Sequence, residues 1–207
     1  SCIFGSMPSA RNVATVTGET IALTRLLAER SARRGQFKLS SGKSSTLYID
    51  ARLTTMHPDG LVLIGPLGVR TLRAAEWGRD VVAIGGLTLG ADPIAYAMSY
   101  ASRANGSTGA AGSLRAFTVR KALKTHGTGK LVEGPLEAGD RVAIVEDVIT
   151  TGGSALRAVD GARAVGAVVA GVLALVDREE GGREAIEAAG LPVISLTRAS
   201  EILAQME

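Results

Sequence analysis

Arg141-Val-Ala-Ile-Val-Glu146-Asp147-Val-Ile-Thr150-Thr151-Gly152-Gly153-Ser154 is the stretch on which the reading of this sequence turns. Four apolar residues run into two adjacent carboxylates, and a short turn of hydroxyl residues and glycines then opens a helix. A helix N-terminus presents unpaired N–H groups and the positive end of the helix dipole, which suits a phosphate. Gly152 and Gly153 let the backbone come close to an anion, and Thr150, Thr151 and Ser154 add hydroxyl donors. Two carboxylates would repel that anion, unless they accept hydrogen bonds from sugar hydroxyls while the turn holds the sugar's phosphate. A phosphorylated ribose satisfies both halves. The bland alternative is an ordinary strand-to-helix turn with capping acids, and the full run of features argues against it.

Outward from this segment the pattern stays regular. Strands are expected at Val81 to Leu87, Leu114 to Lys121, Arg141 to Asp147, Val168 to Val176 and Val193 to Leu196. Helices are expected at Asp92 to Ala104, from Ser154 to near Gly166, and at Arg183 to Ala189. Such alternation predicts an α/β fold with a mostly parallel central sheet flanked by helices, its ligands beyond the carboxyl ends of the strands. Upstream, Ile21, Leu23, Leu26 and Leu27 predict a helix over about 20 to 34 closed by Gly35. Phe37, Leu39 and Leu47 to Ile49, separated by Ser40-Ser41-Gly42, predict a hairpin. His57-Pro58-Asp59 opens a further helix, which Gly65-Pro66 should kink or split. Asn105 to Gly112 reads as an exposed connection, and Trp77, Tyr96 and Tyr100 read as packing residues.

Composition narrows the functional classes. With 46% hydrophobic and 21% charged residues the chain is that of a soluble globular protein. Aromatic residues at 3% argue against base-stacking platforms. The single Cys2 excludes an internal disulfide or a multi-cysteine zinc site and fits a reducing, cytoplasmic compartment. The longest uncharged apolar run, Ala164 to Val176, is shorter than the roughly 20 residues of a membrane span. No Gly-Lys-Ser/Thr triplet follows the Gly152-Gly153 turn as a P-loop enzyme would need, and Gly85, Gly86 and Gly90 do not fit the dinucleotide spacing.

The net charge of +3 conceals a separation into blocks. Between Asp92 and Glu133 there is no acid, while Arg103, Arg115, Arg120, Lys121, Lys124, His126 and Lys130 all fall there. From Glu133 to Asp147 the bias inverts, with Glu133, Glu137, Asp140, Glu146 and Asp147 against Arg141 alone. Arg120 to Gly134 follows a strand and contains glycines at 127, 129 and 134, as a mobile loop would. Cationic donors there suit a leaving pyrophosphate, and closure would keep water from an electron-poor sugar carbon.

The Glu146 to Ser154 segment resembles the ribose-phosphate signature of the type I phosphoribosyltransferases. Arg120-Lys121-x-x-Lys124-x-His126-Gly127 resembles the catalytic loop of the orotate-specific branch of that family. Gln36 to Arg52 looks like that branch's N-terminal hairpin, and Val176-Asp177-Arg178 like its orotate-contacting arginine. The resemblance covers roughly residues 20 to 198. It implies a type I phosphoribosyltransferase-like fold with a small N-terminal hood, and transfer of ribose 5-phosphate from phosphoribosyl pyrophosphate to orotate. It further implies that Glu146, Asp147, Val148, Ile149, Thr150, Thr151, Gly152, Gly153 and Ser154 bind the ribose phosphate. Arg120, Lys121, Lys124 and His126 fall on the pyrophosphate, and Thr150 and Arg178 on orotate. Lys124, Asp147, Arg120 and His126 form the implied catalytic set. Mg²⁺ is implied as a cofactor bound mainly through phosphoribosyl pyrophosphate, with no dedicated metal ligands, and a homodimer that shares the catalytic loop. Neither nucleic acid nor membrane is an expected partner. The chain departs from the pattern at Ser40 and near Leu89, where many members carry lysine, and at Glu146, where aspartate is commoner. This leaves more of the pyrophosphate to Arg120, Lys121 and Lys124.

Residues 1–18 are expected to form an extension, tag-derived in part or flexible, and residues 19–207 a single domain. Within it the hood is mainly 19–55 and the mobile catalytic loop about 121–134. A purine or uracil phosphoribosyltransferase is the nearest alternative, disfavoured by the loop. A ligand-sensing DNA-binding regulator would need a DNA-binding element, for which too few residues precede the first helix.

Overall fold

A computed structural model of the protein describes residues 18–38, 44–104, 112–122 and 130–206. Helix α1 (Gly18–Arg30) leads into an antiparallel hairpin of β1 (Ala32–Lys38) and β2 (Ser44–Ile49), followed by the short α2 (Arg52–Thr55) and by α3 (Pro58–Ala74). Thereafter strands and helices alternate: β3 (Ala83–Leu87), α4 (Ala91–Ala104), β4 (Arg115–Val119), β5 (Val132–Glu133), β6 (Arg141–Ile149), α5 (Gly153–Ala164), β7 (Val168–Asp177), α6 (Gly182–Ala188), β8 (Val193–Arg198) and α7 (Ala199–Ala204). The main sheet has the order β5-β4-β3-β6-β7-β8, parallel except for β5, which runs antiparallel to β4. The expected α/β architecture is the observed one.

The sheet divides two hydrophobic cores, and the period-2 alternation of its central strands feeds both. Ala143 and Val145 of β6 and Leu173 and Leu175 of β7 join the core built with α1, α3, α4 and the hairpin. Val142 and Ile144, with Val172 and Ala174, join the opposite core under α5 and α6. Trp77, in a short 3-10 turn, packs half-buried against the first of these, as expected. His57 caps α3 by accepting from the Asp59 N–H, with Pro58 at the first helical position.

Several boundaries differ from the periodicity reading. The first helix stops at Arg30, and Arg33, Arg34 and Gly35 lie in β1, where Arg33 and Arg34 pair with Tyr48 and Leu47. Gly35 falls at a register shift of the hairpin and caps nothing. Pro66 neither splits nor ends α3. The carbonyl deprived of a donor is that of Val62, on a face where the Val62 side chain is 69% exposed and water can replace it. Tyr96 and Tyr100 are 54% and 78% exposed and so lie outside the core. Strand β6 continues to Ile149 because Val148 and Ile149 still pair with Val176 and Asp177, placing Glu146 and Asp147 inside the strand and not at its end. Ser40-Ser41-Gly42, residues 1–17, most of Asn105 to Gly112, and residues 123–129 with Lys124 and His126 lie outside the described residues.

Candidate functional site

A cleft of about 310 Å³ opens beyond the carboxyl ends of β3, β4, β6 and β7. Its walls come from the hairpin end (Tyr48 to Arg52), the turn after β3 (Leu87 to Gly90), Lys121, the β6 end with the following turn, and Arg178. Of the residues singled out in the sequence, Lys121, Glu146, Asp147, Val148, Thr150, Ser154 and Arg178 line it. Ile149, Thr151, Gly152 and Gly153 lie in the same strand and turn without lining the cleft, and Arg120 points to Glu133 at 3.8 Å. A parallel sheet gathers distant segments in this way because every strand delivers its following loop to the same edge.

The turn that opens α5 depends on its glycine. Gly152 is the N-cap with φ of +80°, and a Cβ there would stand 2.8 Å from the Gly182 carbonyl oxygen. On the other wall Thr88 and Thr118 donate to the two carboxylate oxygens of Asp92, at 2.7 and 2.8 Å. Asp92 thereby ties the turn after β3 to β4, the strand that leads to Lys121.

Charges of both signs meet in the cleft. Arg52 grips Asp50 through Nε and NH2, at 2.8 and 2.9 Å, and this fork holds the Asp50 carboxyl below its ordinary range. Asp147 accepts the Val148 N–H at 2.9 Å and is half-buried. Glu146 is 7% exposed, and its Oε2 has no hydrogen-bond partner among the described residues. Burial first, then the charge of Asp147 and a hydrogen bond with it, push the Glu146 carboxyl well above the usual carboxylate range. Buried polar atoms of this kind usually find a partner, so Oε2 is a point at which water or a ligand can bond.

The shifted carboxyl has a measurable consequence. The folded protein holds the Glu146 proton more tightly than the unfolded chain does. From the ordinary value of 4.5 up to the raised folded value, stability therefore falls as pH rises. Glu146→Gln removes that titration. Calorimetry from about pH 4 to about pH 8 should find a higher Tm than wild type at the upper end, convergence at the lower end, and about 2–4 °C for each kcal/mol relieved. Equal Tm values at every pH would contradict it.

In the sequence Asp50 and Arg52 are read only as part of the Gln36 to Arg52 hairpin, and Leu89 only as a position without the family's lysine; the structure makes them, with Thr88 and Gly90, cleft residues. They are separated from the acid pair by long stretches of chain, and only the closing of the sheet brings them together.

A second cavity, about 640 Å³, is larger but lacks this chemistry. It is an apolar groove along α3 and α4, lined by residues such as Met56, Val62, Pro93, Tyr96 and Tyr100. The groove and the cleft share Leu89, which is 58% exposed.

Among the described residues no helix is long and apolar enough to cross a membrane, and no group of three or more His, Cys, Asp or Glu is placed to hold a metal ion. No protein-family model matches the chain. The chain is 47% identical over 184 residues to an orotate phosphoribosyltransferase of Aquifex aeolicus, covering 87% of this chain and 96% of that protein. It is 45% identical to an orotate phosphoribosyltransferase of Mycobacterium avium, over 84% of this chain and 90% of the relative. Among solved structures, an orotate phosphoribosyltransferase of Mycobacterium tuberculosis superimposes with a TM-score of 0.73 at 41% identity, covering 89% of this chain and 98% of the other. The same Mycobacterium tuberculosis enzyme in complex with 5-phospho-alpha-D-ribosyl 1-diphosphate gives a TM-score of 0.68 at 35% identity, covering 91% and 93%.

Proposed function

The chain belongs to the orotate phosphoribosyltransferase family, and from this we infer that it transfers ribose 5-phosphate from phosphoribosyl pyrophosphate to orotate. The products are orotidine 5-monophosphate and pyrophosphate, in the de novo route to UMP. The observation that carries this reading is the single cleft that joins Asp147, Thr150 and Ser154 on one wall to Arg178 and Lys121 on the others.

The residues divide the work by charge. The turn from Val148 to Ser154 holds the 5-phosphate with N–H and hydroxyl donors, and Glu146 and Asp147 accept from the ribose hydroxyls. Thr150 and Arg178 orient orotate, a planar anion, so that its ring nitrogen meets the anomeric carbon as the bond to pyrophosphate breaks. Arg120, Lys121, Lys124 and His126 balance the charge that grows on pyrophosphate. Among the described residues no cluster of side chains is placed to hold a metal, so Mg²⁺ would be held mainly through the cosubstrate beside Asp147, and would supply neutralisation of phosphate charge.

Purified protein given both substrates and Mg²⁺ should consume orotate, and removal of Mg²⁺ should stop it. Untouched orotate with consumption of another base would leave the family and remove the substrate. A compartment without oxidising chemistry, the cytoplasm, suits a chain with one cysteine.

The partner that covers the apolar groove is a second copy, giving a homodimer in which the loop after Lys121 also serves the neighbouring subunit. An apolar cavity flanked by Val62 and Tyr100, 69% and 78% exposed, supports this, since monomers rarely leave such patches to solvent. Sedimentation should give twice the chain mass for wild type and a shift toward the single chain for Val62→Glu, which sets a charge in the groove. A wild-type monomer would overturn it.

A further inference from the structure

Arg178 is the most buried cation of the cleft, with its side chain 5% exposed. Its guanidinium is anchored at one end only. NH2 donates to Ser45 Oγ at 3.0 Å, to the Leu47 carbonyl at 3.0 Å and to Glu180 Oε1 at 2.6 Å. That nitrogen has two hydrogens, so three acceptors use it fully. Nε, also buried, has no hydrogen-bond partner among the described residues. NH1 makes no hydrogen bond among the described residues and, unlike Nε, is not closed off from the cleft, so its two N–H groups are the donors left for a ligand, and their direction is set by what grips NH2.

Among those acceptors only Glu180 carries charge. It does not line the cleft, so it does not compete for the ligand's position. The turn that carries it is braced. Glu179 has φ of 58°, its N–H donates to Asp177 Oδ1 at 2.9 Å, and its carboxylate accepts the Ser200 N–H at 2.9 Å. Asp177 in turn accepts from Arg183 Nε at 2.7 Å. These bonds hold the backbone on either side of Glu180. The short charge-assisted bond to Arg178 is the stronger kind, and Ser45 and the Leu47 carbonyl add a second support from β2.

We propose that Glu180 is a positioning residue for base recognition: with Ser45 and the Leu47 carbonyl it fixes the NH2 end of Arg178, so that the unpartnered NH1 donors face the anionic base. This rests on the reading that Arg178 meets orotate. Losing the carboxylate frees the guanidinium to rotate within the cleft wall. The effect falls on binding of the base and not on the phosphoribosyl end, which other residues hold.

Steady-state kinetics of Glu180→Ala and Glu180→Gln separate the possibilities. Glu180→Ala should raise the KM for orotate by about tenfold, the scale of one charge-assisted hydrogen bond. The kcat and the KM for phosphoribosyl pyrophosphate should stay within about twofold. Glu180→Gln keeps an oxygen acceptor of the same reach and should recover part of the loss, and it serves as the folded comparison should the alanine variant misfold. Ser45→Ala should move the orotate KM in the same direction. An unmoved orotate KM in both Glu180 variants, or equal rises for both substrates, overturns the proposal while wild-type turnover of orotate leaves the functional reading standing. A wild-type protein that ignores orotate overturns both together.

Discussion

Replacing Lys124 with alanine is expected to lower turnover of orotate by about a hundredfold or more, the scale of losing one preorganised donor to developing charge. The acid-free stretch from Pro93 to Val132 supplies cations with no carboxylate of its own to quench them. The chain leaves the cleft at Lys121 and comes back beside Arg120, where the Arg120 N–H donates to the Leu131 carbonyl at 2.9 Å and Val119 pairs with Val132. The covalent chain allows Lys124 at most about 11 Å from Lys121. With no lysine at position 40 or 89, few other cations are left to take its place. Transition-state stabilisation predicts a fall in kcat larger than any rise in KM, with an unchanged Tm. Turnover close to wild type would remove Lys124 from the mechanism.

Gly90→Ala should cost activity on a comparable scale for a different reason. A Cβ at position 90 would stand 2.6 Å from Cγ, Oδ1 and Oδ2 of Asp147. The obstacle is the end of a side chain and not backbone, so the carboxylate can be pushed aside while the fold persists. A displacement near an ångström in a positioning group can lower kcat/KM by about a hundredfold. The expected signature is a loss of kcat/KM, carried mainly by a higher KM for phosphoribosyl pyrophosphate, with a Tm close to that of wild type. Loss of Tm matching the loss of activity would show instead that the turn after β3 had collapsed.

The two predictions draw on different sources. Lys124 is legible in the sequence, because a charge block free of acids needs no structure to be noticed. The same holds for the β6 to α5 segment, whose apolar run, acid pair and glycine turn are contiguous, and for the parallel sheet, whose strands recur at regular intervals. The role of Gly90 is invisible in a linear reading, since it exists only where the turn after β3 meets β6. Arg52 and Glu180 differ from Gly90: each bonds a residue only two positions away, Asp50 and Arg178, but no sequence pattern marks either pair, and only the fold brings Asp50, Arg52 and Arg178 to the cleft. Local patterns misled where two signals competed. Arg33, Arg34 and Gly35 read as a helix terminus, but cross-strand pairing with β2 won those residues for β1. The two-residue β5 and the four-residue α2 are too short to carry any periodicity.

Leu89 belongs at once to the apolar groove and to the rim of the cleft, and Asp92, at the foot of the groove, anchors the same turn through Thr88. Whatever settles in the groove therefore acts on an element that also lines the cleft. Coupling of that kind is reciprocal: if association of chains tightens substrate binding by some factor, substrate tightens association by the same factor. On the proposed dimer, dilution and substrate concentration would then be two handles on one equilibrium, and the activity per chain would depend on how concentrated the protein is.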